Sequence, residues 1–135
     1  MSVAQRSRGV GSNPSSLPFA AVPAWVVLSG VSGQAIKLYA FLSCFPEAGG
    51  TGLPQQADMA AVLGLKRAEQ VKRYTDELAE IGAVFVSKRV SQGGFRRQNV
   101  YTVCATPPRG YRGPMSVPDY LHALISRRFQ EGQAA

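Results

Sequence analysis

Apolar positions along this chain recur first with the period of a helix, then with that of a strand, then with that of a helix again. Residues 19–22 predict a short strand, stopped by Pro23, which is placed to open a helical turn through Leu28. Residues 29–33 break the pattern, with Ser32 as the expected N-cap of the next helix. From 34 to 45, Ala35, Ile36, Leu38, Tyr39, Phe41, Leu42 and Phe45 form a wide apolar stripe, which predicts a well-buried first helix ended by Pro46 and Gly49-Gly50. A second helix is predicted over 55–63, with Met59, Ala60 and Leu63 on one face and Gly64 closing it. After Leu65, a third runs to about Ile81. Its inward positions are Val71, Tyr74 or Thr75, Leu78 and Ile81, and Gly82 stops it.

The period then falls to two. Val84, Val86 and Val90 share a face, Gln92-Gly93-Gly94 is a turn signal, and Tyr101 and Val103 alternate in a return strand over 97–103, so a hairpin with a glycine-rich tip is predicted. Prolines and glycines make 106–114 a loop. Ser116 then caps a last helix, and Val117, Tyr120, Leu121, Leu124, Ile125 and Phe129 fall at i, i+3, i+4, i+7, i+8 and i+12, an amphipathic stripe. The chain after Gln130 is expected to fray. Residues 1–18 are rich in Ser, Gly, Arg and Pro and bury too little to offset their ordering entropy, which predicts a disordered basic tail. The expected class is mainly α with a small β-hairpin, α+β. It comprises one domain over 19–105, the loop at 106–114 and the C-terminal helix at 115–130.

A length of 135 residues suits one domain, and 45% apolar residues suffice for a core. No apolar run approaches the ~18–20 residues of a membrane span, and the start lacks the basic-then-apolar layout of a secretory signal. A cytoplasmic protein is expected, with Cys44 and Cys104 as buried thiols rather than a disulfide. The formal charge is +7. It is concentrated between Lys66 and Arg112, where ten cations face four anions. Such an excess favours a polyanionic partner.

Helix, short turn, basic helix, basic hairpin is the order found in winged helix-turn-helix proteins. Residues 53–103 resemble that family through the helix "MAAVLGL", the basic helix "KRAEQVKRYTDELAEIGAV" and the hairpin end "NVYTV". The likeness is to MarR-like and GntR-like DNA-binding domains, and residues 19–45 are similar to the opening of small helix-turn-helix proteins of bacterial plasmids and integrated elements. Where that family commonly places Ser or Thr before the third helix, this chain has Lys66. The resemblance implies a winged helix with an extra C-terminal helix and double-stranded DNA as partner. It also implies a role as a transcriptional regulator, as a repressor on an operator, or in plasmid or phage maintenance.

In a helix-turn-helix the second helix of the motif enters the major groove. With Val71, Tyr74 and Leu78 inward, Lys66, Glu69, Lys72, Arg73 and Asp76 face out and Gln70 lies on the flank, while Asp76, Glu77 and Glu80 crowd the far half. Arg73 and Gln70 suit base edges; Lys66, Arg67 and Lys72 suit phosphates. Lys88, Arg89, Arg96 and Arg97 bracket the hairpin tip, where they would meet the backbone or minor groove; charged protection of a strand edge is the alternative. The C-terminal stripe either covers the domain's own core or joins two chains as a homodimer through Leu121, Leu124, Ile125 and Phe129.

Catalysis is not expected. His122 is the sole histidine and has no Cys or His at ligand spacing. Gly49-Gly50-Thr51-Gly52 lacks the lysine of a phosphate loop, and no nucleophile–base–acid set assembles by spacing. No metal or cofactor is expected. Trp25, Tyr39 and Phe41 read as core, with ligand sensing as the alternative. The rival function is a winged helix used to dock another protein; that use would call for apolar residues on the outward face of the third helix.

Overall fold

A computed structural model of the chain describes residues 19–45, 54–90 and 97–134. Its elements are α1 (Ala24–Val27), α2 (Gly33–Ser43), α3 (Gln56–Leu63), a 3-10 turn (Ala68–Gln70), α4 (Val71–Glu80), β1 (Val84–Val90), β2 (Arg97–Val103) and α5 (Val117–Ala134). The class is α+β, helices with one two-stranded antiparallel hairpin.

Local chemistry sets most boundaries. The Ser32 hydroxyl accepts from the Ala35 N–H at 3.2 Å and starts α2. Asp58 reaches back to the Gln55 N–H at 3.0 Å at the start of α3. Gly64 ends α3 in the left-handed region at φ +72°, and the Leu65 N–H returns to Ala60 O at 2.8 Å. Gly82 repeats the device after α4: φ is +79°, its own N–H bonds Ala79 O, and the Ala83 N–H bonds Leu78 O.

Trp25 and Val26 of α1, Leu38, Tyr39 and Leu42 of α2, Met59 and Leu63 of α3, Val71 and Leu78 of α4, Val84 of β1 and Tyr101 of β2 form one buried cluster. The chain beyond β2 closes it as a strap. Tyr39 Oη donates to Cys104 O at 2.9 Å and Trp25 Nε1 to Ala105 O at 2.8 Å. The Tyr111 ring stands edge-on to Trp25 with centroids 5.2 Å apart. Burial, with a smaller contribution from Cys104, pushes the Tyr39 phenol up to about 12.

Several expectations are corrected. Residues 19–22 form no strand: among the described residues β1 and β2 pair with each other and nothing pairs with this segment. The helix after Leu65 begins as a 3-10 turn and becomes α-helical only at Val71; Lys66 and Arg67 lie in the preceding turn, not on the helix. On β1 only Val84 is buried, and Val86 and Val90 are exposed. Beyond Val84 the alternation on β1 therefore marks no core face, whereas on β2, paired with it from Val84↔Val103 to Val90↔Arg97, Val100 and Tyr101 are buried. Cys44 is exposed and Cys104 half-buried, and both thiols are free. Cys104 contributes its backbone to the core: its N–H bonds Ala83 O and its carbonyl takes the Tyr39 hydroxyl. Finally, α5 continues past Gln130 to Ala134, starting where the Asp119 N–H meets the Ser116 hydroxyl at 3.2 Å. Among the described residues nothing covers its apolar stripe, with Leu121 48%, Ile125 63% and Phe129 66% exposed. The glycine-rich hairpin tip and residues 1–18 lie outside the described residues.

Candidate nucleic-acid interface

The turn between α3 and α4 determines which side chains of α4 face out. After Gly64 the backbone passes through exposed Lys66 and Arg67. The Gln70 side-chain oxygen accepts from the Arg67 N–H at 3.1 Å, which winds the 3-10 turn that leads into α4. Val71, Thr75 and Leu78, spaced four and three apart, are buried and hold α4 to the core. Thr75 is the buried polar member, and its hydroxyl is satisfied by Lys72 O at 3.0 Å. Lys72, Arg73, Asp76 and Glu80 are thereby left exposed on the other side.

The cations on this surface are held in place locally. Lys72 Nζ lies 2.7 Å from Asp76 Oδ2, one helical turn on. Arg67 Nε lies 3.6 Å from Glu69 Oε1. The Arg73 guanidinium sits 5.6 Å from the Tyr74 ring centroid, within cation–π range. All of these charges are solvated, so each pair contributes little stability and exchanges readily for another anion. Glu77 behaves differently. It turns back to α2, accepting from the Ser32 N–H at 2.8 Å and from the Ser32 hydroxyl at 2.9 Å. One of the three carboxylates in the second half of α4 is thus directed away from the outward face.

The structure brings together only part of the expected set. Lys66, Arg67, Glu69 and Gln70 cluster in the turn, with the Gln70 carbonyl engaged there and Lys72 and Arg73 following on α4. Lys88 and Arg89 are exposed on β1 and, being consecutive, point to opposite faces of the ribbon. Arg97 begins β2 opposite Val90. Arg96 lies outside the described residues. Two participants were not expected from the sequence. The sequence places Glu77 with Asp76 and Glu80 in an acidic half of the helix, but its partner Ser32 is 45 residues away, beyond any local pattern. Phe85 is 64% exposed on the ribbon face that also carries Arg89; its alternation with Val84 and Val86 was the available signal.

Among the described residues, no three His, Cys, Asp or Glu side chains gather where they could hold a metal ion, and no helix is long and apolar enough to cross a membrane. No protein-family profile, curated protein or solved structure matches the chain.

Proposed function

We propose that α2, α3, α4 and the hairpin constitute a winged helix-turn-helix, and that the protein is a sequence-specific binder of duplex DNA without catalytic activity. In this reading α4 lies in the major groove, with Arg73 reading base edges and Lys72, Lys66 and Arg67 set against phosphates. Lys88 and Arg89 on β1, with Arg96 and Arg97 beyond the tip, follow the backbone or the neighbouring minor groove. The role is that of a regulator occupying an operator in the cytoplasm, or of a maintenance factor for a plasmid or phage.

The observation that carries this reading is the outward surface of the α3–α4 turn. Lys66, Arg67, Lys72 and Arg73 are exposed together around the first turn of α4, while Glu77 is drawn off to Ser32. Phosphates replace Asp76 and Glu69 as partners of Lys72 and Arg67 without breaking any core contact, since both pairs are solvated. Titration of a labelled duplex, with an unlabelled random duplex as competitor, tests the reading: retained preference for selected sequences supports it, and no measurable binding at low salt rejects it. Exposed Phe85 and Val90 are what a protein-docking use of the same module would offer. A chain that ignores duplex DNA would leave that second reading.

A further inference from the structure

We infer that α5 joins two copies of this chain, its apolar stripe packed antiparallel against the same stripe of a second copy. Among the described residues, the buried core cluster includes no side chain of α5. That core is closed before α5 begins, by Tyr39 on Cys104, Trp25 on Ala105 and Tyr111 against Trp25. Val117, Tyr120, Leu121, Ile125 and Phe129 remain between 37% and 66% exposed on one side of an 18-residue helix, with Leu124 half-covered among them.

The area matches what a self-pairing needs. A large apolar or aromatic side chain carries roughly 150–250 Å2, so at these exposures the stripe offers about 500 Å2 per chain. Monomers rarely leave larger apolar patches open. Two stripes together bury about 1,000 Å2, the size at which an interface becomes specific.

Charge selects the occupant. The chain carries +7 overall, yet α5 holds two arginines, Arg127 and Arg128, against Asp119 and Glu131. It is therefore the long surface element on which two copies of a basic chain approach without net repulsion. The same neutrality removes the attraction that brings an amphipathic helix to an anionic membrane. Orientation follows from Arg128, which falls one helical turn beyond Leu124 and Ile125 on the stripe side. Parallel helices would set Arg128 beside its own copy. An antiparallel pair with Leu121 level with Ile125 of the second copy separates the two arginines by about 15 Å along the axis. Such a contact is isologous and closes after two chains.

Sedimentation equilibrium of the full chain at tens of micromolar, without DNA, tests the proposal independently of the DNA-binding reading. The expected result is twice the chain mass, falling to the chain mass in the Leu121→Glu/Ile125→Glu variant, which still unfolds cooperatively but no longer with a concentration-dependent melting temperature. A wild type that stays at the chain mass overturns the dimer, and cosedimentation of that monomer with lipid vesicles would assign the stripe to a membrane surface instead. A double variant that keeps twice the mass places the contact elsewhere and equally overturns the proposal. Orientation is read by disulfide trapping in a background with Cys44→Ser and Cys104→Ser. A mixture of Leu121→Cys and Ile125→Cys chains should cross-link to each other in preference to themselves, and the reverse preference contradicts the antiparallel arrangement.

Discussion

The Glu77 carboxylate accepts from both donors of Ser32, the N–H at 2.8 Å and the hydroxyl at 2.9 Å, and so ties the middle of α4 to the start of α2. The same hydroxyl accepts from the Ala35 N–H, so one serine caps its own helix and anchors another. A carboxylate at a helix N-terminus is also favoured by the helix dipole.

Ser32→Ala is expected to cost about 1–2 kcal/mol, the upper range for an N-cap, because it removes two hydrogen bonds. Glu77→Ala should cost about as much, as expected for a hydrogen-bonding charge. Since the two act through one contact, the double variant should fall short of the sum by more than about 0.5 kcal/mol. Simple additivity in chemical denaturation would show that the contact does not couple α2 to α4.

Gly82 and Gly64 both occupy the left-handed region, yet only one is crowded. A Cβ at Gly82 would stand 2.6 Å from Pro108 Cγ, whereas nothing lies within 4 Å of a Cβ at Gly64. Gly64→Ala should therefore cost only the conformational term, about 1–2 kcal/mol, and Gly82→Ala distinctly more, since the strap carrying Pro108 must shift. Equal melting temperatures for the two variants would contradict this packing.

Tyr39 gives the fold a limit at high pH. Its phenol is pushed up from 10.0 to about 12 in the folded chain, by burial first and Cys104 second. The unfolded chain ionises at the ordinary value, so the contribution is fully present below pH 10 and is lost as pH rises from 10 through about 12. Over that window unfolding free energy should fall by about 1.4 kcal/mol per pH unit from this group. Tyr39→Phe should be less stable at neutral pH, having orphaned Cys104 O, and should show a flatter alkaline profile. Parallel profiles for the two proteins would mean that Tyr39 is not the group responsible.

How far the sequence foretold these features depends on distance along the chain. The anchors Val71 and Leu78, the stops at Gly64 and Gly82, and the caps at Ser32 and Ser116 were legible, because each arises from residues within one or two turns; between them the sequence left Tyr74 or Thr75 open, and it is Thr75 that is buried. The contacts Ser32 to Glu77, Tyr39 to Cys104 and Trp25 to Ala105 span 45, 65 and 80 residues and leave no periodic trace. The alternation in β1 was visible but misleading, since β1 is exposed on both faces beyond Val84, while burial on the ribbon passes to Val100 and Tyr101 of β2. In the candidate interface the cations could be counted from the sequence. That Gln70 folds back on the Arg67 N–H and so starts a 3-10 turn ahead of α4 could not, because a Gln three residues on from an Arg has no fixed local fate.

Within the proposed DNA interface, Arg73 and Lys72 should separate reading from holding. Arg73→Ala should erode discrimination between duplex sequences by about 1–3 kcal/mol, the worth of a bidentate base contact. Lys72→Ala, which removes a phosphate partner now resting on Asp76, should weaken all duplexes alike and lower the salt slope by about one. If both variants keep the wild-type affinity and preference, α4 is not the element in the groove.

The most direct test of the central claim is the affinity of the full chain for a duplex as monovalent salt is raised. With six to ten phosphates neutralised, affinity should drop by ~10³ to 10⁵ between roughly 50 and 200 mM. A linear log–log fall of that steepness is the predicted result; binding that is absent at low salt, or that stays flat across the range, would contradict duplex DNA as the partner of this surface.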